Sequence, residues 1–259
     1  FKWQGLVLFN GNYYHSNAIP WNYFPLLLLY QLTEPFLILS LTAIFSFSFF
    51  SNQKKYGNNK SFVILFIFWF FLFFIGAISG KISLYDNFRQ LLFIFPPLFI
   101  FAGFGYEFIA MRLKKKHQVI LTFTLLLPGI FGIYNFHPYE YIYYNNFIGK
   151  TENIYSRFET DYWGLSLYDA IEYVNRNAPL ESDVFVYGAP DLVKMYARSD
   201  LHLHYIEKPC PTPSENSYAI LLLRENSMGT ICQDAPIEYS VYKNNIPLVI
   251  VRKITPKND

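Results

Sequence analysis

The run Ser61–Gly80, SFVILFIFWFFLFFIGAISG, carries no charged side chain. A helix rises about 1.5 Å per residue, so a stretch of this length spans the roughly 30 Å hydrocarbon layer of a bilayer. A soluble core rarely tolerates such a run. It is one of four apolar stretches, at about 35–50, 62–79, 90–110 and 119–136. From His137 onward the chain becomes charged and reads as an ordinary soluble sequence. The expected fold is therefore a membrane α-helical region of about four transmembrane helices, followed by a small α/β extracytoplasmic domain. The expected organisation is 1–34, an outer interfacial segment; 35–136, the spans; 137–164, a juxtamembrane aromatic segment; and 165–259, the α/β domain.

The polar linkers set the expected sidedness. Loop 51–60 carries Lys54, Lys55 and Lys60, and loop 107–118 carries Arg112, Lys114, Lys115 and Lys116. The loop between them, 80–89, has only Lys81, Asp86 and Arg89. Lys and Arg concentrate on the cytoplasmic side, so the two basic loops face in. Residues 1–34, loop 80–89 and everything after Phe136 then face out. The expectation is an integral plasma membrane protein with an extracytoplasmic C-terminal domain; lysine runs that are merely solvated turns are the alternative. The formal net charge of +2 is too small to point to nucleic acid. The chain begins with Phe and no signal peptide precedes the first span, so it is expected to be the C-terminal piece of a longer protein.

Within 1–34, Trp21, Asn22, Tyr23, Pro25, Tyr30 and Gln31 form an amphipathic aromatic segment. Trp and Tyr favour the headgroup zone, which predicts a helix over Trp21–Leu32 at the outer interface or the end of another span. Past Leu165 the pattern turns α/β. Ser166 followed by Asp169 reads as a hydroxyl N-cap with a carboxylate three residues on, and Leu167, Ile171 and Val174 share one helical face. Asp183–Tyr187 and Tyr218–Leu223 read as buried strands, and Asp191–Arg198 as a short helix. Ile237–Tyr242 and Pro247–Val251 flank a hairpin turn at Lys243-Asn244-Asn245-Ile246. This predicts a sheet of four or five strands, with a frayed tail from Lys253. The two cysteines, Cys210 and Cys232, are expected to pair in an oxidising compartment, closing a loop of about 20 residues; two separate buried thiols are the alternative.

Candidate chemistry collects in two places. His137-Pro138-Tyr139-Glu140-Tyr141-Ile142-Tyr143-Tyr144 and the later Glu159-Thr160-Asp161-Tyr162-Trp163 are dense in aromatics and carboxylates. Glu159 and Asp161 share one face of an extended segment and suit sugar hydroxyls or an amine. The tyrosines also suit an interfacial belt that docks the domain on the membrane. In Tyr85-Asp86-Asn87-Phe88-Arg89-Gln90, the Arg abuts an apolar run. An Arg at that depth takes a partner, and its fork matches phosphate oxygens, although snorkelling to any headgroup also satisfies it. His202 and His204 alternate on an expected strand, yet with the cysteines they fit no usual zinc spacing, so no metal site is expected. The chain has no G-x-S-x-G, P-loop or H-E-x-x-H.

Four segments carry a resemblance. They are Pro20-Trp21-Asn22-Tyr23-Phe24-Pro25 with Thr33-Glu34-Pro35; Tyr85–Gln90 running into Phe95-Pro96-Pro97; His137-Pro138-Tyr139-Glu140 with Tyr143-Tyr144-Asn145; and Asp161-Tyr162-Trp163-Gly164-Leu165-Ser166. Together the chain resembles the C-terminal half of bacterial GT-C fold membrane glycosyltransferases of the dolichyl-phosphate-mannose–protein mannosyltransferase superfamily, relatives of the lipid A aminoarabinose transferase. The resemblance implies transfer of a sugar from a polyprenyl-phosphate donor to a protein, glycan or lipid acceptor outside the cytoplasm. It implies that Arg89, with Asp86 orienting it, binds the lipid phosphate, and that the carboxylate base lies upstream of Phe1. Gln90 stands where relatives often carry His or Tyr, and Asn22 departs from the aromatic common there. Trp21, Tyr23, His137, Tyr143, Tyr144, Glu159 and Asp161 are expected to line the substrate lumen. No cofactor is named; a divalent cation assisting the departing phosphate stays open. The rival expectation is a non-catalytic membrane protein whose outer domain binds polysaccharide or protein. A flippase or polymer ligase ranks behind both, because those generally lack a sizeable C-terminal α/β domain.

Overall fold

Proline and exposed apolar surface shape the helical part of the chain. The computed structural model describes residues 5–51, 60–79, 83–151, 154–206, 210–211, 217–224 and 231–255. Lys54, Lys55 and Lys81, which enter the sidedness expectation, lie outside the described residues. The chain forms two compact units: Phe1–Tyr134 with Tyr143–Gly149, and Asn135–Ile142 with Lys150–Asp259. The 137–164 segment is thus shared between them.

The first unit opens with a hairpin that the reading of 1–34 missed. Strands β1 (Leu6–Phe9) and β2 (Asn12–His15) pair antiparallel, with Phe9 opposite Asn12. Asn10 and Gly11 both have positive φ, 49° and 83°. A two-residue turn of this kind matches the strand twist and requires Asn or Gly. The Phe9 ring meets the Tyr23 ring edge-on at 5.0 Å.

Helix α1 (Tyr23–Gln31) and α2 (Glu34–Ser51) follow, bent by 117° at their junction. Pro35 causes the break: its ring excludes the carbonyl of Gln31, four residues back, so α1 cannot continue. The span expected at 35–50 is therefore one arm of a bent pair. Helix α3 (Lys60–Ile78) is continuous, with Phe62, Phe68, Leu72 and Ile75 exposed. Pro96 and Pro97 sit in the first turn of α4 (Phe95–Ala110), where a missing N–H costs little. Upstream of them the chain tightens into a 3-10 stretch, Arg89–Ile94, instead of the α-helix expected from residue 90. Helix α5 (Lys115–Phe136) starts earlier than expected and takes Lys115 and Lys116 into its first turn. It exposes Val119, Ile120, Phe123, Ile130 and Phe131. Among the described residues three helices are long and apolar enough to cross a membrane, or four if the bent pair is one span. Apolar exposure on this scale marks a membrane or partner surface. Helices α2 and α4 pack with no room for a side chain at Gly105, where a Cβ would overlap the Leu39 carbonyl. Small residues permit such approach between membrane helices.

The second unit holds a short helical turn α6 (Ile154–Arg157), helix α7 (Ser166–Asn177) and a five-stranded sheet. The strands are β3 (Asp183–Tyr187), β4 (His202–Tyr205), β5 (Ser217–Leu222), β6 (Ile237–Lys243) and β7 (Ile246–Ile254), ordered β4-β3-β5-β7-β6. β3 lies parallel to β4 and β5; β7 is antiparallel to β5 and β6. β5 is buried at every position, as an inner strand covered on both faces demands. Leu167, Ala170, Ile171 and Val174 form the buried stripe of α7.

Three boundaries differ from expectation. Ser166 is the first residue of α7, not its cap; the preceding Leu165 has no side-chain cap bond. The short helix, α8, spans Pro190–Lys194. It ends before Arg198 because the Arg198 amide donates to Asn175 Oδ1 (2.9 Å) and its guanidinium donates to the carbonyls of Asn175, Ala178 and Pro179 at the end of α7. β7 runs through Ile254, so Lys253 is paired rather than frayed, opposite Tyr218; 256–259 lie outside the described residues. The β6–β7 turn at Asn244-Asn245 forms as expected, with φ of 46° and 64°. Cys210 and Cys232 form a disulfide with Cα atoms 4.8 Å apart, a pairing compatible with an extracytoplasmic domain.

Candidate functional site

In the first unit, Asp86 and Asn87 adopt φ of +52° and +59°. Asp and Asn tolerate this left-handed region because their short polar side chains bond locally. The resulting turn faces Arg89 back onto Asp86, with Nη2 3.0 Å from Oδ2. Asp86 is 4% exposed, whereas the Arg89 side chain keeps about a third of its surface, 31%. The guanidinium also lies over the Tyr85 ring, 5.2 Å from its centroid. Two of the candidate aromatics hold this turn from behind. The Tyr23 hydroxyl donates to the Asn87 carbonyl (3.3 Å), and the Tyr144 hydroxyl donates to Asn87 Oδ1 (3.5 Å). Ser16 braces it from the hairpin side, accepting from the Leu84 amide at 3.1 Å. Among the described residues the buried Asn87 Nδ2 and Gln90 Nε2 find no hydrogen-bond acceptor. The arrangement presents a cation steadied by a buried carboxylate, which suits an oxyanion such as phosphate.

Tyr143 packs against Gly132, where a Cβ would come within 3.0 Å of its ring. Burial and then the charge of Glu34 push its hydroxyl pKa up to about 12. The neighbouring Asn145 closes the C-terminal end of α1: its side chain donates to the carbonyls of Leu29 and Leu32, both at 2.6 Å, and its amide to Tyr30. Such terminal carbonyls have no partner within the helix. Asn146 clamps Glu34 with its amide and side chain. Residues 143–149 thus fasten the α1–α2 corner. Asn145, Glu34 and Asn87 were missed as site-building residues, although all three lie within the segments that carry the resemblance. Trp21 is 68% exposed.

In the second unit the remaining candidates separate. His137 Nδ1 and Glu140 Oε1 form an exposed pair at 2.7 Å; the Glu140 carboxyl is held below its usual range by its own backbone amide, then by His137. Glu159 is 2% exposed and pairs with Arg224 Nη2 at 3.1 Å. Asp161 has no exposed surface. Its oxygens accept from the amides of Leu165 (3.1 Å) and Ser166 (3.0 Å), from the Ser166 hydroxyl and from Tyr141. A turn from Thr160 to Tyr162 interrupts the extended geometry, so the two acids do not present one accessible face. Burial, then the neighbouring aspartates, pushes the Tyr139 and Tyr141 hydroxyls well above their ordinary pKa; Tyr139 donates to Asp169 and Tyr141 to Asp161.

His202 and His204 do alternate on β4, and each meets an acid of its own: Glu181 at 3.0 Å and Asp183 at 2.6 Å. Among the described residues no group of three His, Cys, Asp or Glu side chains converges on one point. Comparisons with protein families, with curated proteins and with solved structures find no match.

Proposed function

We propose that this chain is the C-terminal portion of an integral plasma membrane glycosyltransferase that moves a sugar from a polyprenyl-phosphate donor to an extracytoplasmic acceptor. The observation that carries the reading is the Arg89–Asp86 pair at the start of the candidate span Arg89–Ala110. In the reaction an acceptor oxygen attacks the anomeric carbon as the bond from that carbon to the phosphate oxygen breaks. The bonding electrons leave with the phosphate, and Arg89 meets the negative charge that develops there. Asp86 fixes the direction of the guanidinium, and Tyr23 and Tyr144 fix the turn through Asn87. Asp86, Glu159 and Asp161 are each engaged by a partner, and none is assigned as the base that takes the acceptor proton.

The test is transfer from labelled polyprenyl-phosphate sugars by the encoded full-length protein in vesicles. Arg89→Ala lowers turnover by about a hundredfold or more, the scale of losing one transition-state anion contact, while membrane insertion is unchanged. Wild-type rates in that variant would refute the role of Arg89. The alternative, a non-catalytic membrane protein whose outer domain binds polysaccharide or protein, draws support from the exposed Trp163 and Tyr205 of the second unit.

A further inference from the structure

The parallel strands of the second unit change direction of travel around β3. The chain leaves β3 through α8 to reach β4 on one side, then returns past β3 to form β5 on the other. In open α/β sheets, ligands bind beyond the carboxyl ends of the strands at such a reversal. A cleft of about 250 Å³ lies at that position. Tyr187 and Gly188 enter it from the end of β3, Tyr205 from the end of β4, Arg224 from just past β5, and Tyr162 and Trp163 from the turn before α7. Gly188 has φ of +119°, and a Cβ there would stand 2.8 Å from the Leu222 side chain. Only glycine lets the end of β3 pass so close to β5.

We propose that this cleft binds a single neutral saccharide ring. Trp163 is 56% exposed and Tyr205 is 55% exposed, a large apolar investment at the surface of a soluble-type unit. Aromatic rings offer flat apolar faces that match the C–H faces of a sugar, and phenol and guanidinium groups supply donors for its hydroxyls. Among the described residues Arg224 is the charged member of the lining, and Glu159 behind it already balances that charge. The Arg224 side chain keeps 22% of its surface against 31% for Arg89, and its carboxylate partner is the more deeply buried of the two, so an anionic ligand gains less here than at Arg89. Ligand pockets run from roughly 300 to 1,000 Å³ for drug-sized molecules, which limits this smaller cleft to about one ring. Every residue concerned belongs to the second unit, so the proposal stands apart from the Arg89 reading and fails or holds without it.

The experiment is saturation-transfer NMR on the full chain in phosphatidylcholine nanodiscs, which contain no sugar. The probes are the methyl glycosides of glucose, galactose and mannose, and methyl glucuronide. At least one neutral glycoside shows saturable transfer to its ring C–H protons, and the glucuronide binds no tighter. Trp163→Ala and Tyr205→Ala, both at exposed positions that leave thermal unfolding unchanged, each weaken binding about fivefold. Absence of saturable transfer from all three neutral probes, wild-type affinity in both variants, or tighter binding of the glucuronide overturns the proposal.

Discussion

The Asp161 carboxylate accepts a hydrogen bond from the Ser166 amide at 3.0 Å, and so caps α7 from five residues upstream. The same carboxylate holds the Leu165 amide, the Ser166 hydroxyl and the Tyr141 hydroxyl. A negative charge at a helix N-terminus satisfies orphan donors and complements the helix dipole. Asp161 therefore ties the segment before the helix, the helix itself and the 135–142 segment into one unit.

Replacing Asp161 with Ala removes a cap and leaves the buried Ser166 hydroxyl and the half-buried Tyr141 hydroxyl without this acceptor. The expected cost is about 3 kcal/mol or more, seen as a drop of roughly 10 °C or more in the thermal unfolding of the unit. Asp161→Asn keeps one carbonyl acceptor and loses less. Circular dichroism of the purified chain in detergent measures both, and equal melting of Asp161→Ala and wild type would contradict the capping role.

Glu159 and Arg224 are 65 residues apart in sequence and 3.1 Å apart in space. Removing one partner of a buried pair leaves an uncompensated charge, at a cost of about 3–5 kcal/mol. Arg224→Met is expected in that range. The double variant Glu159→Leu, Arg224→Met is expected to cost far less than the sum of its parts, because no buried charge remains. Additive losses in denaturant titrations of the four proteins would dismiss the coupling.

Gly103 and Gly105 are two residues apart on α4, so they lie on roughly opposite faces and differ in surroundings. A Cβ at Gly105 overlaps the Leu39 backbone, whereas one at Gly103 meets nothing within 4 Å. Gly105→Ala forces α2 and α4 apart and is expected to cost about 1–3 kcal/mol. Gly103→Ala is expected to be neutral or slightly stabilising. Thermal melts in the same detergent compare them, and matched melting temperatures would argue against close packing at Gly105.

The hydrogen bond from Arg198 holds the Asp200 carboxyl down to about 2, below its usual value near 4. A carboxyl depressed in the folded state stabilises the fold at pH values above its unfolded pKa. That stability is lost as pH falls through the folded value. The contribution of this pair is thus present at pH 5 and lost progressively from about pH 4 to 2. Asp200→Asn is expected to melt lower than wild type at pH 5 and to converge with it towards pH 2. A constant gap across that range would exclude the linkage.

Some of this protein was legible from residue order. The uncharged stretch from Ser61, the buried-type run Asp183–Tyr187 and the turn at Asn244-Asn245 all form the elements their patterns predict. Each rests on local physics: length against bilayer thickness, β-branched and aromatic residues in a covered strand, and left-handed backbone at Asn. The hairpin at Asn10-Gly11 carried the same kind of turn signal, but the reading of 1–34 as one outer interfacial segment passed over it.

The candidate site divides along the same line. Asp86 and Arg89 are three residues apart, so a tight turn was enough to join them. Glu159 and Asp161 read as acids suited to sugar hydroxyls or an amine; the partners they take depended on Arg224 and on the geometry of α7.

By itself, then, the sequence determined where the chain is too apolar for water, where it must turn, and which two thiols were present to pair. Those outcomes depend on composition and short spacings. Tertiary structure alone decided which carboxylates are buried, which cations neutralise them, and where the strand ends open a cleft. A charge can lie in a protein interior only beside a partner, and folding chose those partners from distant parts of the chain.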